Sequence, residues 1–126
     1  MAAAAVKTAP ALRVLVVEDE AMVAMMLEDM LDDLGCQVVG PAASLAAGLE
    51  LARSAPLDVA VLDVNLAGEK VFPIADALSE RGVPFVFATG YGRAGLRDQD
   101  TARPVVQKPY STQDLARTLR AAGVLD

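Results

Sequence analysis

Five polar side chains that could carry out chemistry stand directly after short apolar runs of this sequence. They are two neighbouring acids, Glu18 and Asp19, a third acid, Asp63, a hydroxyl, Thr89, and an ammonium, Lys108. Carboxylates that lie together repel one another, by about 4 kcal/mol for a pair at ~4 Å and an effective dielectric of about 20. Protons or a hard cation must relieve this repulsion, and Mg²⁺ suits a site of carboxylate, carbonyl and water ligands.

Asp63 is the central member of this set. With its charge neutralised by a metal ion, an Asp63 oxygen could attack a phosphorus atom and form an aspartyl phosphate. Lys108 could then pair with the phosphate oxygens, and the Thr89 hydroxyl could bond another. Each residue alone also has an ordinary interpretation: Asp63 or Thr89 as part of a turn, Lys108 as a surface lysine before a proline. The five residues in this order favour the chemical interpretation.

The elements that position these side chains alternate along the chain. Apolar runs of strand length are separated by longer stretches with helical periodicity. The predicted strands are 13–17, 37–39, 58–63, 84–88 and 104–107, and the predicted helices are 20–34, 44–54, 71–81 and 111–122. This alternation predicts an α/β fold, a doubly wound five-stranded parallel sheet with helices on both faces. The Gly-, Arg- and Asp-rich stretch 93–103 predicts a fourth helix that is short or poorly formed.

In a flavodoxin-like sheet of this kind, with strand order 2-1-3-4-5, ligands bind beyond the carboxyl ends of the strands. All five polar side chains follow such ends, so we expect them to converge on one edge of the sheet. Residues 12–126 are predicted to form one domain, and residues 1–11 a flexible N-terminal tail. We expect no output domain.

Composition excludes several classes of function. The chain has 126 residues, 54% of them apolar, and a net charge of −6, which does not suit a nucleic-acid-binding face. With no His and a single cysteine, Cys36, it cannot build a Ser–His–Asp triad or a structural zinc site. No run reaches the roughly 18 apolar residues of a membrane helix. We therefore expect a cytoplasmic protein that binds neither nucleic acid nor membrane.

The polar set as a whole resembles the signature of bacterial response-regulator receiver domains. Over residues 12–122 it consists of Glu18-Asp19, Asp63, Thr89 and Lys108-Pro109. The resemblance implies that Asp63 accepts a phosphoryl group from a histidine kinase or a phosphotransfer protein. It implies Mg²⁺ held by Asp19, Asp63 and the backbone carbonyl of Asn65, with Glu18 acting through water. It also implies a cis peptide bond before Pro109.

A longer motif narrows the resemblance. Pro84-Phe-Val-Phe-Ala-Thr-Gly-Tyr-Gly92 resembles the PFxFATGY signature of a subgroup of single-domain regulators. That subgroup is associated with alphaproteobacteria and is often paired with HWE-type histidine kinases. Val105 stands at the switch position where receivers usually have Tyr or Phe, and only eighteen residues separate Thr89 from Lys108. Both departures argue against the usual Thr–Tyr switch.

We hypothesise that the signal runs instead through Thr89, Gly90, Tyr91 and a mobile 92–103 segment. The resemblance further implies that Asn65 and Tyr91 tune the lifetime of the phosphoryl group. The direction of that tuning does not follow from the sequence.

The first predicted helix carries four methionines. Met26 and Met30 fall with Val23 and Leu27 on the predicted core face. Met22 and Met25 point away from that face, where a helix of a globular protein is usually polar. The resemblance implies that this helix contacts the kinase, so we interpret Met22 and Met25 as a docking surface.

Three functions compete at this point. The first is a phosphoacceptor that signals to an unknown downstream protein or acts as a phosphate sink, as a monomer or a phosphorylation-dependent dimer. The second is an aspartyl-nucleophile phosphohydrolase, but such enzymes carry a second Asp where this chain has Asn65. The third is an unphosphorylated pseudo-receiver, which has no need of the acidic cluster. The residues favour the first.

Overall fold

Strands and helices alternate along the chain as the apolar runs predict. The computed structural model describes residues 11–125, so nearly all of the predicted tail 1–11 lies outside the described residues. The strands are β1 (Arg13–Val17), β2 (Gln37–Ala42), β3 (Val59–Asp63), β4 (Asn65–Leu66), β5 (Glu69–Lys70), β6 (Phe85–Thr89) and β7 (Val105–Gln107). The α-helices are α1 (Ala21–Asp33), α2 (Leu45–Ser54), α3 (Phe72–Glu80) and α4 (Thr112–Ala121).

Five strands form a parallel sheet in the order β2-β1-β3-β6-β7. This confirms the predicted fold and strand order, because β4 and β5 form a separate two-stranded hairpin. The central strands β3 and β6 are buried along their whole length, as parallel strands covered on both faces must be. The core on one face of the sheet includes residues of α2 and α3, and the core on the other includes residues of α1 and α4.

Arg13 and Asp58 join strands β1 and β3 at their amino ends. The Arg13 backbone N–H donates to Asp58 Oδ2 at 2.7 Å, and its guanidinium donates to both carboxylate oxygens at 3.0 and 3.1 Å. This fork aligns β1 with β3. The side chains at the carboxyl ends of the two strands are thereby held side by side.

Strand β2 is longer than predicted. The predicted end at residue 39 is wrong, since the strand continues through Gly40 and Pro41 to Ala42. Two properties allow this: Gly40 adopts a φ of 100°, and β2 is an edge strand, where a proline is tolerated. The extension matters for the site because the Ala42 carbonyl accepts the backbone N–H of Glu18 at 3.0 Å.

The weak fourth helix of the prediction is confirmed. Between β6 and β7 the chain forms only a single 3₁₀ turn at Asp98–Asp100. Within residues 11–125, no helix has both the length and the apolar character needed to cross a membrane.

Candidate phosphoacceptor site

The structure brings the predicted polar residues to one edge of the sheet. Asp19, Asp63, Thr89 and Lys108 all line a cleft of about 780 Å³ at the carboxyl ends of the strands. Glu18 lies beneath it, buried against Lys108. The convergence follows from the fold, because parallel strands present their carboxyl ends at the same edge.

The Lys108 ammonium lies between two carboxylates. Its Nζ is 2.9 Å from Glu18 Oε1 and 3.4 Å from Asp63 Oδ2. Glu18 is only 2% exposed, and its other oxygen accepts the backbone N–H of Glu20 at 3.1 Å. Both oxygens of Glu18 are therefore engaged inside the protein, and the charge of Lys108 is shared between two acids. The peptide bond after Lys108 is cis, as the resemblance implies.

The pKa of Asp63 is raised in the folded protein. Burial raises its pKa most and the negative charge of Glu18 raises it further. The Lys108 charge and the Asn65 backbone N–H oppose this only in part, so the pKa of Asp63 stands at about 6. Burial lowers the pKa of Lys108, but its hydrogen bond to Glu18 and the two negative charges outweigh burial and raise that pKa. The site thus holds more negative charge than one lysine compensates.

Three carboxylates are close enough to share one cation. One oxygen from each of Glu18, Asp19 and Asp63 lies within 4.8 Å of the others. These are hard oxygen donors beside an open cleft that admits water, the combination Mg²⁺ prefers. The residues present therefore fit the metal that the sequence predicts.

Hairpin β4–β5 forms a wall of the cleft that the sequence interpretation missed. Its turn has positive φ at Ala67 and Gly68, 50° and 92°, the backbone of a type I′ hairpin. Asn65 Oδ1 accepts the Gly68 N–H at 3.1 Å, and Asp19 Oδ2 accepts the Ala67 N–H at 3.1 Å. Asp19 therefore ties the hairpin to the acidic cluster. Gly68, a residue typical of such turns, was the available signal in the sequence.

The proposed switch residues lie on the other wall. Thr89 is buried, and its Oγ1 accepts the Tyr91 backbone N–H at 3.0 Å. Tyr91 is 80% exposed at the cleft, and the Gly90 carbonyl accepts Gln107 Nε2 at 3.0 Å. Val105 packs against the core and offers no hydroxyl. The structure thus places Thr89, Gly90 and Tyr91 together and leaves Val105 outside the cleft lining.

The segment 92–103 is tied to α3 by Arg97. The Arg97 guanidinium bonds Asp76 at 2.9 Å and the buried Asp100 at 2.7 Å, and it covers the Phe72 ring at 4.6 Å. The Arg97 guanidinium therefore covers the Phe72 ring at the start of α3.

Met22 and Met25 are exposed, as predicted, whereas the predicted place of Met26 on the core face is wrong. The first two are 74% and 61% exposed, but Met26 is also 54% exposed. Met26 stands about 100° around the helix from Leu27, at the flank of the buried stripe. The buried residues of α1 are Ala24, Leu27 and Leu31.

Met26 contributes instead to an apolar groove of about 350 Å³. The groove runs between α1 and the loop after β7. Its lining residues are Val23, Met26, Met30, Lys108, Pro109 and Tyr110.

The comparison with protein families decides the assignment. The model of the response regulator receiver domain matches residues 14–120. This chain belongs to that family. Receiver domains are phosphorylated by histidine kinases and bind Mg²⁺ through acidic residues.

Curated relatives agree with this family. The chain is 32% identical to the transcriptional regulatory protein PdtaR of Mycobacterium tuberculosis, over 87% of this chain and 56% of that protein. It is 34% identical to the transcriptional regulatory protein TdiR of Thauera aromatica, over 97% of this chain and 56% of that protein. This receiver thus spans about half the length of the curated relatives it matches.

Solved structures agree as well. The solution structure of SdrG from Sphingomonas melonis Fr1 is 42% identical with a TM-score of 0.83, over 93% of this chain and 100% of that one. The BeF3-activated conformation of SdrG, from Pseudomonas melonis Fr1, is 41% identical with a TM-score of 0.76, over the same shares of both chains. The response regulator PhyR from Brucella abortus is 28% identical with a TM-score of 0.75, over 90% of this chain and 48% of that one.

Proposed function

We propose that this receiver takes a phosphoryl group from a histidine kinase onto Asp63, in the cytoplasm and with Mg²⁺ bound. The phosphorylated protein then passes the signal on by contact with another protein, or it acts as a phosphate sink. The observation that carries the proposal is the environment of Asp63. Its carboxylate opens to the cleft, 3.4 Å from the Lys108 ammonium and within 4.8 Å of oxygens from two further acids.

The hydrogen bonds that the Glu18 carboxylate already makes suggest how Mg²⁺ would be held. Both oxygens of Glu18 already accept hydrogen bonds from Lys108 and from the Glu20 N–H, so Glu18 would act through water. Asp19 and Asp63 would bind directly, with the backbone carbonyl of Asn65. When bound, the ion neutralises the acidic cluster and binds phosphoryl oxygens.

The protein's own groups would do the rest of the transfer. An Asp63 oxygen attacks phosphorus while the bond from phosphorus to the donor breaks. Lys108 donates to one phosphoryl oxygen and the buried Thr89 hydroxyl to another. The Thr89 Oγ1 now accepts the Tyr91 N–H at 3.0 Å. On transfer, a contact to the phosphoryl group would replace this hydrogen bond.

A direct test is to incubate the protein with acetyl phosphate and Mg²⁺ and to record the intact mass. We expect one phosphoryl increment, which is lost when a chelator removes Mg²⁺ and absent from the Asp63→Asn variant. An increment that persists in Asp63→Asn, or none in a folded wild-type protein supplied with either acetyl phosphate or a kinase, contradicts the proposal.

The likeness to SdrG supports a narrower assignment. SdrG matches this chain over its full length, and one SdrG structure holds a BeF3-activated conformation. Beryllofluoride imitates a phosphoryl group on a carboxylate, so this likeness favours an acceptor over a pseudo-receiver. Separately, the PFxFATGY motif at residues 84–91, which resembles that of a subgroup often paired with HWE-type kinases, supports such a kinase as the donor. Monomer and phosphorylation-dependent dimer are both compatible with this assignment.

A phosphohydrolase is disfavoured by Asn65. An acid at this position would be needed for acid–base chemistry, but the Asn65 side chain accepts the Gly68 N–H inside the hairpin turn. An amide cannot act as a general acid or base here.

Met22 and Met25 are proposed to dock the kinase. If so, changing both to lysine should slow transfer from an HWE-type kinase about tenfold or more, because charge replaces the apolar contact. Acetyl phosphate should label this variant at the wild-type rate. The Met22→Leu/Met25→Leu variant, which keeps an apolar surface, should behave as wild type with both donors. Equal loss with kinase and with acetyl phosphate would contradict docking.

The signal is proposed to leave Asp63 through Thr89, Gly90, Tyr91 and the segment 92–103. The Thr89 Oγ1 accepts the Tyr91 N–H, so this backbone should be released if the Thr89 side chain turns toward the phosphoryl group. Adding beryllofluoride and Mg²⁺ should shift the amide resonances of 92–103 in an NMR titration. Unchanged resonances in that segment would rule out this route.

A further inference from the structure

We propose that Lys70, on hairpin β4–β5, is a second phosphoryl-contacting cation that speeds the transfer to Asp63. The proposal rests on the proposed function, since it concerns the same transfer. It assigns a role to a residue that lies outside the five-residue set in the sequence.

The hairpin delivers Lys70 to the acceptor. Lys70 pairs across the hairpin with Asn65, which follows Asp63 by two residues. The hairpin turn is fastened to the acidic cluster by the bond from the Ala67 N–H to Asp19, 3.1 Å long. Lys70 is exposed and lines the same cleft as Asp63. Its position is therefore set by backbone contacts with the site.

Lys108 is paired with acids inside the cleft, whereas Lys70 is unpaired within the described residues. In the part of the chain that the structure describes, the cationic side chains that line the cleft are Lys70 and Lys108. Lys108 is engaged by Glu18 at 2.9 Å and Asp63 at 3.4 Å. Among residues 11–125, by contrast, Lys70 makes no ion pair or side-chain hydrogen bond. It is thus the cation free to meet an incoming dianionic group.

The step itself is a simple displacement. The bond from phosphorus to the acetate oxygen of acetyl phosphate breaks, an Asp63 oxygen forms the new bond to phosphorus, and acetate leaves. The Lys70 ammonium donates hydrogen bonds to phosphoryl oxygens and keeps its protons throughout. Because the lysine lies at the open mouth of the cleft, its effect is that of an exposed charge pair.

The test compares rates of Mg²⁺-dependent labelling by acetyl phosphate. We expect Lys70→Ala to label about threefold to tenfold more slowly than wild type and Lys70→Glu more slowly still. Lys70→Arg, which keeps the charge, should stay within about twofold of wild type. Circular dichroism should show an unchanged fold, since the side chain is exposed and unbonded.

Arg53→Ala is the matched control, because it removes one positive charge elsewhere. Arg53 is exposed in the last turn of α2, and a helix of a parallel α/β fold ends at the edge opposite the carboxyl ends of the strands. Its labelling rate should equal that of wild type. Equal rates for wild type and Lys70→Ala would overturn this proposal alone. If Arg53→Ala lost as much labelling rate as Lys70→Ala, the loss would be an effect of net charge, and the proposal would be overturned as well. Absence of labelling on Asp63 in every variant would overturn the proposed function and this inference with it.

Discussion

Replacing Lys108 by methionine is expected to cost the metal-free protein about 3 kcal/mol of unfolding free energy at about pH 8. The ammonium lies 2.9 Å from Glu18 and 3.4 Å from Asp63, and Glu18 is only 2% exposed. Removing the cation leaves two neighbouring acids without their counter-charge, one of them fully buried. Urea denaturation in the presence of a chelator measures the loss.

Two comparisons identify the cause of that loss. At about pH 5 the loss should shrink, because the abandoned carboxyls take up protons. The Glu18→Gln/Lys108→Met variant should be more stable than Lys108→Met, since the buried charge is gone. Arg117→Met breaks an exposed pair with Asp114 and should destabilise the protein far less than Lys108→Met. A loss for Lys108→Met that is the same at both pH values would mean that packing, and not charge, is responsible.

The same substitution should slow labelling by acetyl phosphate about a hundredfold, the usual effect of removing a group that stabilises developing charge. Lys70 is expected to matter far less because it is exposed. The two lysines are therefore expected to differ: Lys108 stabilises both the buried acids and the phosphoryl group, and Lys70 contacts the phosphoryl group only from the mouth of the cleft.

The convergence of the site could be predicted from the sequence because it depends on topology alone. Asp63, Thr89 and Lys108 each end or follow a short apolar strand, and the alternation with helices makes the strands parallel. Parallel strands bring their carboxyl ends to one edge whatever their exact bounds. Errors of one to three residues at the ends of strands therefore did not disturb the site.

Features that depend on turns and single side chains could not be predicted in this way. Hairpin β4–β5 has strands of only two residues, too short to show an alternating pattern. The second hydrogen bond to the Glu18 carboxylate depends on where the Glu20 backbone N–H lies. The contacts of Arg97 with Asp76 and Phe72 join residues that are 21 and 25 positions apart in the chain, so they depend on tertiary packing. The burial of Met26 was predicted wrongly because a residue at the flank of a buried helical stripe is covered only if another element packs against it. Here Met26 lines an open groove instead.

The stability of the metal-free protein should depend on pH through Asp63. An unfolded chain releases this proton at about pH 4, but the folded protein holds it until about pH 6. Between these values the folded state binds more protons than the unfolded state, so the free energy of unfolding falls as pH rises. A difference of about two pKa units corresponds to about 2 to 3 kcal/mol.

Asp63→Asn removes this titration and keeps the shape of the side chain. In the presence of a chelator, the variant and the wild type should be about equally stable at pH ~4, and the variant should be about 2 kcal/mol more stable at pH ~8. Urea denaturation of both proteins across this range gives the difference directly, because every other group titrates in both. A difference that does not change with pH would mean that Asp63 ionises normally in the fold.

Mg²⁺ should reverse the order of the two proteins. A ligand at a hundred times its dissociation constant stabilises the folded state by about 2.7 kcal/mol, and only the wild type has the full acidic cluster. At about pH 8, saturating Mg²⁺ should therefore offset the penalty for ionised Asp63 in the wild type and stabilise Asp63→Asn much less. The ion should bind the wild type less tightly as the pH falls through about 6, since it must then displace the Asp63 proton. Equal stabilisation of both proteins by Mg²⁺ would place the ion elsewhere. We propose that the burial and the charge repulsion that raise the pKa of Asp63 also ready its carboxylate for a cation and then for a phosphoryl group.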